Sequence, residues 1–547
     1  MFLQIKFSIR AAAAALFVFC CAAEARDAVT ANQFMVAAAH PAAVEAGYAV
    51  LSRGGSAMDA AIAVQLVLGL VEPESSGIGG GAFLLYWSES EKKLRTYDGR
   101  ETAPAAARSD RFLNQERKPL AFLDAAVGGQ SVGVPGVLRM LELAHRRHGR
   151  LPWAELFPYA INAAEQGFEI SPRLHALLER ERYLRDDAEA GKLYYTGKAA
   201  KPAGARLANV AYGATLRKIA REGATAFYEG EIAADLVRAV RSNARPGDLS
   251  AGDLASYRAL ERDPVCGPYR QWRVCSMGPP SAGGIAVLQM LGILERAGFA
   301  RAPPHSAAAV HLFAEAGKLA YADRARYLGD ADFVPIPVSR LLNGEYLDQR
   351  ARLIGERAMR LAPAGDTEAS GTSHLSIVDR DGNVVAMTTT IESSFGSRIM
   401  VRGFLLNNQL TDFDFVPGTA NEVAPRKRPR SSMAPTLVFE GHDTVRMTLG
   451  SPGGPMIINY VAKVLVGTLD WGLDVQTAIA MPNFGSRNGP TLLERGSRYA
   501  ALAAELKKRS HELEIVPLTS GVHAIERVAD GWRGGADPRR EGVVKGR

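Results

Sequence analysis

The order of strand-like and helix-like segments limits the possible folds of this 547-residue chain most strongly. Strand patterns occur at residues 34–39 and 82–87 and return after residue 371, whereas helical patterns dominate residues 136–260. Neither end has enough strands to complete a sheet of its own, so we expect both ends to share one core. This order predicts an α/β layered fold in which helices cover the sheets.

The sharpest local change in the sequence lies at Thr372. Residues 361–371 (LAPAGDTEASG) have too little apolar bulk to pack, which predicts an exposed tether. Residues 372–378 and 384–391 then have strand composition on either side of the turn sequence DRDGN. Two interpretations stay open: Thr372 begins a strand after a linker, or it is a nucleophile that is exposed by cutting the tether.

The nucleophile interpretation has a specific chemical requirement. A threonine hydroxyl is a poor nucleophile unless a base lies beside it, and an N-terminal threonine supplies that base as its own α-amine. Such an amine has a pKa of about 7.7–8.0, which suits proton transfer near neutral pH. The interpretation therefore requires cleavage between Gly371 and Thr372, with the glycine and the tether allowing the bond to be distorted for attack.

Residues 1–25 have the pattern of a secretory signal peptide. Lys6 and Arg10 precede an apolar run over residues 11–22, and Ala23-Glu24-Ala25 is an A-x-A cleavage site. A retained anchor helix is the alternative, but the run is shorter than the roughly 20 residues that a membrane span needs. We therefore expect an exported protein, periplasmic or secreted, whose mature form has no membrane segment.

The overall composition is that of a soluble globular protein, with 47% hydrophobic and 22% charged residues. The formal net charge is +7, but no block of like charge is long enough for a nucleic-acid arm, and the excess suits an anionic small substrate equally well. Outside the signal, only Cys266 and Cys275 remain, without metal-ligand spacing. They flank a predicted hairpin with its turn near Arg270, and a disulfide and two half-buried thiols both stay open.

Three polar motifs follow Thr372. A strand at 444–449 enters the sequence GSPGG before a helix, which presents backbone N–H groups to a phosphate or an oxyanion, although a tight turn is the simpler explanation. No G-x-x-x-x-G-K-[ST] motif is present, which disfavours a nucleotide P-loop. The segments LLNNQLTDF (405–413) and RSSMAPT (430–436) add donors, acceptors and one fixed anion.

Taken together, these motifs resemble the small subunit of the γ-glutamyltranspeptidases, also called glutathione hydrolases. The resemblance rests on TSH at 372–374, TTT at 388–390, LLNNQ with Asp412, KRPRSSMAPT and GSPGG. Upstream, GGSAMDAA, GIGGG, YDGRETAP, GPPSAGG and KLAYADRARYLGD are similar to motifs of the large subunit, and GADPR near the C-terminus resembles the end of the small subunit. The match extends over nearly everything after residue 25.

The resemblance implies an N-terminal-nucleophile hydrolase fold, a four-layer αββα sandwich. It also implies a precursor that cuts itself into a large subunit, residues 26–371, and a small catalytic subunit, residues 372–547. The two fragments would stay together as a heterodimer that shares one core.

The resemblance assigns the chemistry to four residues of the small subunit. Thr372 would be both the processing site and the nucleophile that accepts the acyl group. Thr390 would hydrogen-bond and orient Thr372, and Gly453 with Gly454 would form the oxyanion hole. No metal or other cofactor is implied.

The resemblance also implies a pocket for the zwitterionic end of a γ-glutamyl group, far from the reacting bond. The α-carboxylate would be bound by Arg100, Ser431 and Ser432, and the α-amine by Glu392, Gln409 and Asp412. These residue types suit the task, because arginine pairs with a carboxylate in bidentate fashion and carboxylates supply the counter-charge of an ammonium. The γ-glutamyl group of a donor such as glutathione would pass to water, an amino acid or a peptide such as a dipeptide.

The chain departs from the family pattern at two places. Many members have asparagine where this chain has Glu392, which adds a negative charge beside the predicted ammonium pocket. The segment between Asp412 and Lys427 is short, whereas some relatives carry a longer lid there. A short segment predicts an open site that admits bulky donors and more water, which favours hydrolysis.

Two alternative functions were weighed from the sequence. A glutaryl or cephalosporin acylase of the same fold would accept an acyl group without an α-amine, so that Asp412 and Glu392 would face no partner, at a cost in free energy. The glutamyl interpretation is therefore favoured. An inactive exported binding protein is the other alternative, and it is disfavoured because every polar motif position is filled.

Overall fold

The computed structural model describes residues 26–360 and 370–547. The predicted signal peptide and residues 361–369 of the predicted tether lie outside this range. Within the described residues, no helix is both long enough and apolar enough to cross a membrane.

Two seven-stranded antiparallel sheets form the centre of the protein. Their strands are β1 (Val29–Ala31), β2 (Met35–Ala38), β3 (Gly81–Ser88), β4 (Lys93–Gly99), β5 (Leu260–Arg262), β6 (Val265–Tyr269), β7 (Trp272–Ser276), β8 (Ser370–Val378), β9 (Val384–Ser393), β10 (Thr436–Glu440), β11 (Thr444–Gly450), β12 (His523–Val528), β13 (Gly531–Ala536) and β14 (Val543–Gly546). The first sheet has the strand order β14-β2-β8-β9-β3-β4-β5. The second sheet has the order β1-β13-β12-β11-β10-β7-β6.

The longer helices lie mostly between the strands of the two chain ends. They are α1 (Pro41–Ser52), α2 (Ala57–Val71), α3 (Val137–His148), α4 (Pro158–Gln166), α5 (Pro172–Arg180), α6 (Val210–Glu222), α7 (Gly230–Arg241), α8 (Gly283–Arg296), α9 (Ala307–Tyr327), α10 (Gly344–Ala351) and α11 (Ile457–Leu469).

Shorter helical segments occur at Phe122–Ala126, Ala188–Tyr194, Thr225–Tyr228, Ala251–Ser256, Val338–Leu341, Val475–Ala480 and Ala503–Lys508. Short strands also pair outside the two large sheets: Phe168–Glu169 with Arg206–Leu207, Tyr195–Thr196 with Ala199–Ala200, and Met400–Val401 with Phe404–Leu405. A further small sheet has Thr491–Glu494 in the middle, between Phe484–Gly485 and Leu513–Val516.

The two sheets pack face to face, and helices cover their outer faces. β8 and β9 contact β11 and β12 of the second sheet. On the other face of β8, Leu375 and Ile377 join an apolar cluster with α1 and α2, while α8 and α11 pack on the second sheet. The predicted mixed α/β architecture is confirmed.

β8 lies between strands from the two sides of residue 372. It pairs with β2, which precedes the predicted tether, and with β9, which follows it and pairs in turn with β3. The expectation that both ends share one core is therefore confirmed. Neither side could complete this sheet alone, because its strand order alternates between them.

The starts of the first two helices follow from local sequence signals. α1 begins at Pro41, where the missing N–H has no helical acceptor to lose. α2 begins after Ser56, whose Oγ accepts a hydrogen bond from the Asp59 amide at 3.2 Å, while the Asp59 carboxylate accepts one from the Ser56 amide at 2.9 Å. This reciprocal capping box fixes the start of a helix that is buried along its whole length.

The tether prediction is wrong at its C-terminal end. β8 begins at Ser370 rather than Thr372, and Ser370 and Gly371 pair with Ser393 and Glu392. The ladder is irregular between Gly371 and Thr372. Apolar content did not predict this strand start, because the pairing of Ser370 and Gly371 depends on backbone hydrogen bonds and not on side-chain packing. β9 extends to Ser393, two residues beyond the predicted end, and its backbone pairs with both residues.

The structure resolves the alternative for the cysteines. The β6–β7 register places Cys266 opposite Cys275, and the two form a disulfide. Arg270 adopts a positive φ of 55° in the predicted turn.

We expect the disulfide to stabilise this sheet edge. Replacing both cysteines by serine should lower the free energy of unfolding by about 2–3 kcal/mol, because the bond closes a loop with a sequence separation of only 9 residues. Denaturant unfolding with reduced wild-type protein as the control measures the change. Equal stability of the double variant and the oxidised wild type would contradict this expectation.

Candidate active site

Thr372 is buried on β8 directly opposite Thr390 on β9. The Thr372 Oγ1 and Thr390 Oγ1 atoms are 3.3 Å apart. Thr390 donates its hydroxyl hydrogen to the carbonyl oxygen of Gly371 at 2.7 Å and accepts the Glu392 amide at 2.8 Å. Because Thr390 has a single hydroxyl hydrogen, Thr372 must be the donor in the contact between the two hydroxyls.

The peptide bond before Thr372 is tightly enclosed. A Cβ atom on Gly371 would lie 2.2 Å from the Glu74 carbonyl oxygen and 3.0 Å from that of Ser393. No side chain fits into that space. Gly371 was predicted to supply flexibility, whereas in the structure it allows a close approach of backbone to backbone.

A cavity beside Thr372 brings together nine of the ten residues that the sequence analysis singled out, with Gly453 as the exception. Its lining consists of Arg100, Arg324, Thr372, Thr390, Glu392, Gln409, Asp412, Ser431, Ser432, Met433, Gly454, Pro455 and Ile457. These residues come from both sides of residue 372. Their individual roles stay predictions.

Arg100 and Asp412 form an ion pair at one end of this cavity. The Arg100 Nη2 atom lies 2.5 Å from Asp412 Oδ2, and the guanidinium also donates to the carbonyl oxygens of Pro429 and Arg430 at 3.1 Å each. Gln409 donates to the same Asp412 oxygen at 2.7 Å. The predicted carboxylate-binding cation and the predicted ammonium-binding anion therefore contact each other directly.

Glu392 supplies a second carboxyl group to the cavity. Its Oε2 atom accepts a hydrogen bond from Asn408 Nδ2 at 2.5 Å. Burial, together with the nearby Asp412 charge, raises the pKa of Glu392 to about 8. The residue is positioned by a positive φ of 79° at its own backbone, a conformation that non-glycine residues adopt rarely.

The two serines of the cavity, Ser431 and Ser432, lie on the segment that enters β10. Ser431 Oγ accepts the Met433 amide at 3.1 Å, and Ser432 Oγ accepts a hydrogen bond from Arg324 Nη2 at 2.8 Å. Burial and the neighbouring Arg430 charge lower the pKa of Arg324 to about 10, so it remains a cation at neutral pH. The cavity thus contains two cations, Arg100 and Arg324, and two carboxyl groups.

Gly453 and Gly454 form the turn between β11 and α11. Both have positive φ, 128° and 54°, and a Cβ on Gly453 would lie 2.5 Å from the Tyr460 ring. Neither amide nitrogen donates a hydrogen bond to any residue within 26–360 or 370–547. Gly454 lines the Thr372 cavity, and its predicted role in an oxyanion hole stays a prediction.

Sequence reasoning missed several residues that hold the site together. Arg540 donates to the Thr372 carbonyl oxygen at 3.2 Å, and the Ser373 hydroxyl donates to Glu72 at 2.8 Å. Arg324 lies within the quoted motif KLAYADRARYLGD, which was the one available signal for it. Arg540 follows GADPR directly, but nothing in the sequence indicated that it reaches β8.

His311, Glu315 and His511 form the one group of potential metal ligands found among the described residues. His311 Nε2 donates to the Gly355 carbonyl oxygen at 2.8 Å, so its Nδ1 accepts from His511 Nε2, also at 2.8 Å. Lys318 pairs with Glu315 at 2.8 Å. Because His511 Nε2 donates to His311, this nitrogen carries a hydrogen and has no lone pair for a metal ion. Burial also lowers the pKa of His511 to about 3. The cluster fits a neutral hydrogen-bonded anchor rather than a metal site.

Comparison with known proteins agrees with this geometry. A family model described as gamma-glutamyltranspeptidase matches residues 43–547. The chain belongs to the γ-glutamyltranspeptidase family.

Individual relatives of the γ-glutamyltranspeptidase family carry different names. The glutathione hydrolase proenzyme of Bacillus subtilis (strain 168) is 36% identical over 538 residues, 94% of this chain and 91% of that protein. The acylase ACY 1 proenzyme of Pseudomonas sp. (strain SE83) is 35% identical over 514 residues, 92% and 91% of the two chains. A crystal structure of cephalosporin acylase from Bacillus halodurans superposes with a TM-score of 0.86 and 28% identity, over 100% of this chain and 99% of that one.

We expect the enclosure of Gly371 to control cleavage at the bond that follows it. Gly371→Ala should slow chain cleavage about 100-fold, because the new Cβ must displace the carbonyl carbon from Thr372 Oγ1 by about 1 Å. The rate is followed on a denaturing gel after expression of the precursor. Gly355→Ala is the matched control, since a Cβ there meets nothing within 4 Å, and equal rates for both variants would contradict the expectation.

Proposed function

We propose that the chain is a self-processing γ-glutamyltransferase and glutathione hydrolase with an N-terminal-nucleophile hydrolase αββα fold. Cleavage between Gly371 and Thr372 would give a large subunit, residues 26–371, and a catalytic small subunit, residues 372–547. The single observation that supports this best is the cavity in which Thr372 and Thr390 lie with two cations and two carboxyl groups.

The processing step follows from the contacts of Gly371. The Thr372 hydroxyl attacks the Gly371 carbonyl carbon, and the Thr390 hydroxyl, 2.7 Å from that carbonyl oxygen, stabilises the charge that develops on it. The C–N bond breaks, the amine takes the proton, and Gly371 remains as an ester on Thr372. Water hydrolyses the ester, which leaves a free α-amine beside the free hydroxyl.

Catalysis on a γ-glutamyl donor reuses these groups. The α-amine of Thr372 accepts the hydroxyl proton as the oxygen attacks the γ-carbonyl carbon. The N–H groups of Gly453 and Gly454 stabilise the oxyanion, and the leaving amine takes the proton as the C–N bond breaks. Attack of water on the γ-glutamyl ester gives glutamate, and attack of an amino acid or dipeptide amine gives a new γ-glutamyl compound.

The charges of the cavity support a zwitterionic acyl group. Arg100, with the two serines, suits the α-carboxylate, while Asp412 and Glu392 suit the α-ammonium. Arg100 and Asp412 pair with each other at 2.5 Å. A zwitterionic acyl group supplies a new counter-charge to each of them, whereas an acyl group that carries only a carboxylate would engage Arg100 and leave the Asp412 charge unbalanced.

An acylase activity toward glutaryl or cephalosporin amides is the second candidate, since the similarity to cephalosporin acylase in the comparisons favours it. The test offers purified enzyme γ-glutamyl-p-nitroanilide and glutaryl-p-nitroanilide at equal concentrations. We expect release from the γ-glutamyl compound to be at least 100-fold faster, the loss typical of a buried charge left without its partner. Faster release from the glutaryl compound would overturn the proposal.

Thr372→Ala is the control for this assay. It removes the attacking oxygen, so that the chain should remain uncut and neither anilide should be hydrolysed. N-terminal sequencing of the small fragment from wild-type protein should begin at Thr372.

The raised pKa of Glu392 predicts a specific pH dependence. With a pKa of about 8 in the free enzyme, Glu392 is mostly neutral at pH 6 and becomes an anion that attracts the donor ammonium as the pH rises through 8. The ratio of kcat/KM between wild type and Glu392→Gln should therefore rise about tenfold from pH 6 to 8.5. The ratio cancels the titration of the Thr372 amine that both enzymes share, and a flat ratio would refute this role of Glu392.

We also propose that the protein is exported after removal of residues 1–25. The Cys266–Cys275 disulfide supports this, since disulfides persist mainly in oxidising compartments. Cell fractionation with a cytoplasmic marker enzyme as the reference tests the location.

A further inference from the structure

A second, larger cavity lies on the other side of the glycine turn. Gly454 and Pro455 line the Thr372 cavity, while Gly453 and Pro455 line the second one, which has a volume of about 930 Å³. The two cavities therefore share the wall that carries the proposed oxyanion donors. A volume of this size is at the upper end of the range for small-molecule pockets, about 300–1,000 Å³.

The position of the second cavity identifies what would enter it. In the proposed reaction the acyl carbon lies between Thr372 and the glycine turn, with the charged end of the glutamyl group in the first cavity. The amine portion of the substrate must then leave on the opposite side of that carbon. The leaving group of a donor, and the acceptor that replaces it, therefore point into the second cavity.

The charge of this cavity is positive. Its lining contains five arginines and two glutamates, a formal net charge of +3. Most of these arginines contact structural partners: Arg173 pairs with Glu74, Arg539 pairs with Glu494 at 2.7 Å, and Arg540 donates to the Thr372 carbonyl oxygen.

Arg180 differs from these residues. It ends α5, is solvent-exposed, and makes no hydrogen bond or ion pair with any residue in the described parts of the chain. Glu514, on the strand Leu513–Val516, is exposed on the same cavity and would repel an anion at its own position. Arg180, at the end of α5, is therefore available to bind an anion in this cavity.

We propose that Arg180 selects donors and acceptors whose amine portion carries a carboxylate, with space for an acidic peptide of several residues. The inference rests on the proposed function, since it assigns the leaving-group side of that reaction. Arg180 acts on specificity and not on the chemical step, because it lines the second cavity and not the one that contains Thr372. The interaction is an exposed ion pair, so its effect is modest and sensitive to salt.

The test uses two donors that differ by one carboxylate. These are γ-glutamyl-4-nitroanilide and γ-glutamyl-3-carboxy-4-nitroanilide. Their kcat/KM values are compared at low salt and at about 0.5 M NaCl, where the electrostatic screening length falls to a few ångströms. Wild type should prefer the carboxylated donor by about two- to fivefold at low salt. Arg180→Ala should abolish the preference and Arg180→Glu should reverse it, while both variants should hydrolyse γ-glutamyl-4-nitroanilide, whose leaving group carries no carboxylate, at the wild-type rate.

Arg182→Ala is the matched control, since Arg182 is an exposed arginine two residues away that does not line the cavity. It should retain the wild-type preference. A wild-type enzyme without preference, or a preference that survives in both Arg180 variants, overturns the inference. Absence of turnover of either γ-glutamyl compound by wild type would instead refute the proposed function, so the two failures are distinguishable.

Discussion

The pairing of β8 with strands from both sides of residue 372 is the constraint on which the rest of the structure depends. β8 is hydrogen-bonded to β2 on one side and to β9 on the other, in the middle of a seven-stranded sheet. The Gly371–Thr372 bond therefore lies at the end of a fixed strand and not within a mobile loop. A cut there would break one covalent bond and leave the ladders between the two fragments in place, which explains how a heterodimer can retain a single core.

The same arrangement would allow the Thr372 hydroxyl to take part in both proposed reactions, chain cleavage and acyl transfer. Thr390 holds the Gly371 carbonyl oxygen and contacts the Thr372 hydroxyl, so it orients both partners of the proposed processing step. Once Gly371 leaves, the atoms around Thr372 stay where the sheet holds them. Arg540, between β13 and β14, adds to this by holding the Thr372 carbonyl oxygen. Glu72, at the end of α2, holds the Ser373 hydroxyl.

Substrate selection depends on charge balance rather than on shape alone. In the cavity beside Thr372, Arg100 and Asp412 pair with each other. An acyl group that separates them must therefore supply a new counter-charge to each. The proposed γ-glutamyl specificity rests on these charges, because relatives with different names are 36% and 35% identical to this chain. In the second cavity, charge would likewise select the amine portion of the substrate.

The sequence by itself determined the class of fold, the helix starts at Pro41 and Ser56, and the set of residues around Thr372, because periodicity, capping and motif chemistry are local. Only the tertiary structure decided that β8 begins at Ser370, that the cysteines are bonded, and that Arg100 pairs with Asp412. It also revealed Arg540 and Arg324 at the site. Arg100 and Asp412 are 312 positions apart, and Arg540 and Thr372 are 168 apart, so a single sequence carries no local signal for these contacts. The cysteine pair and the pairing of Ser370 with Ser393 are closer in sequence, but they depend on a strand register that the sequence alone leaves open.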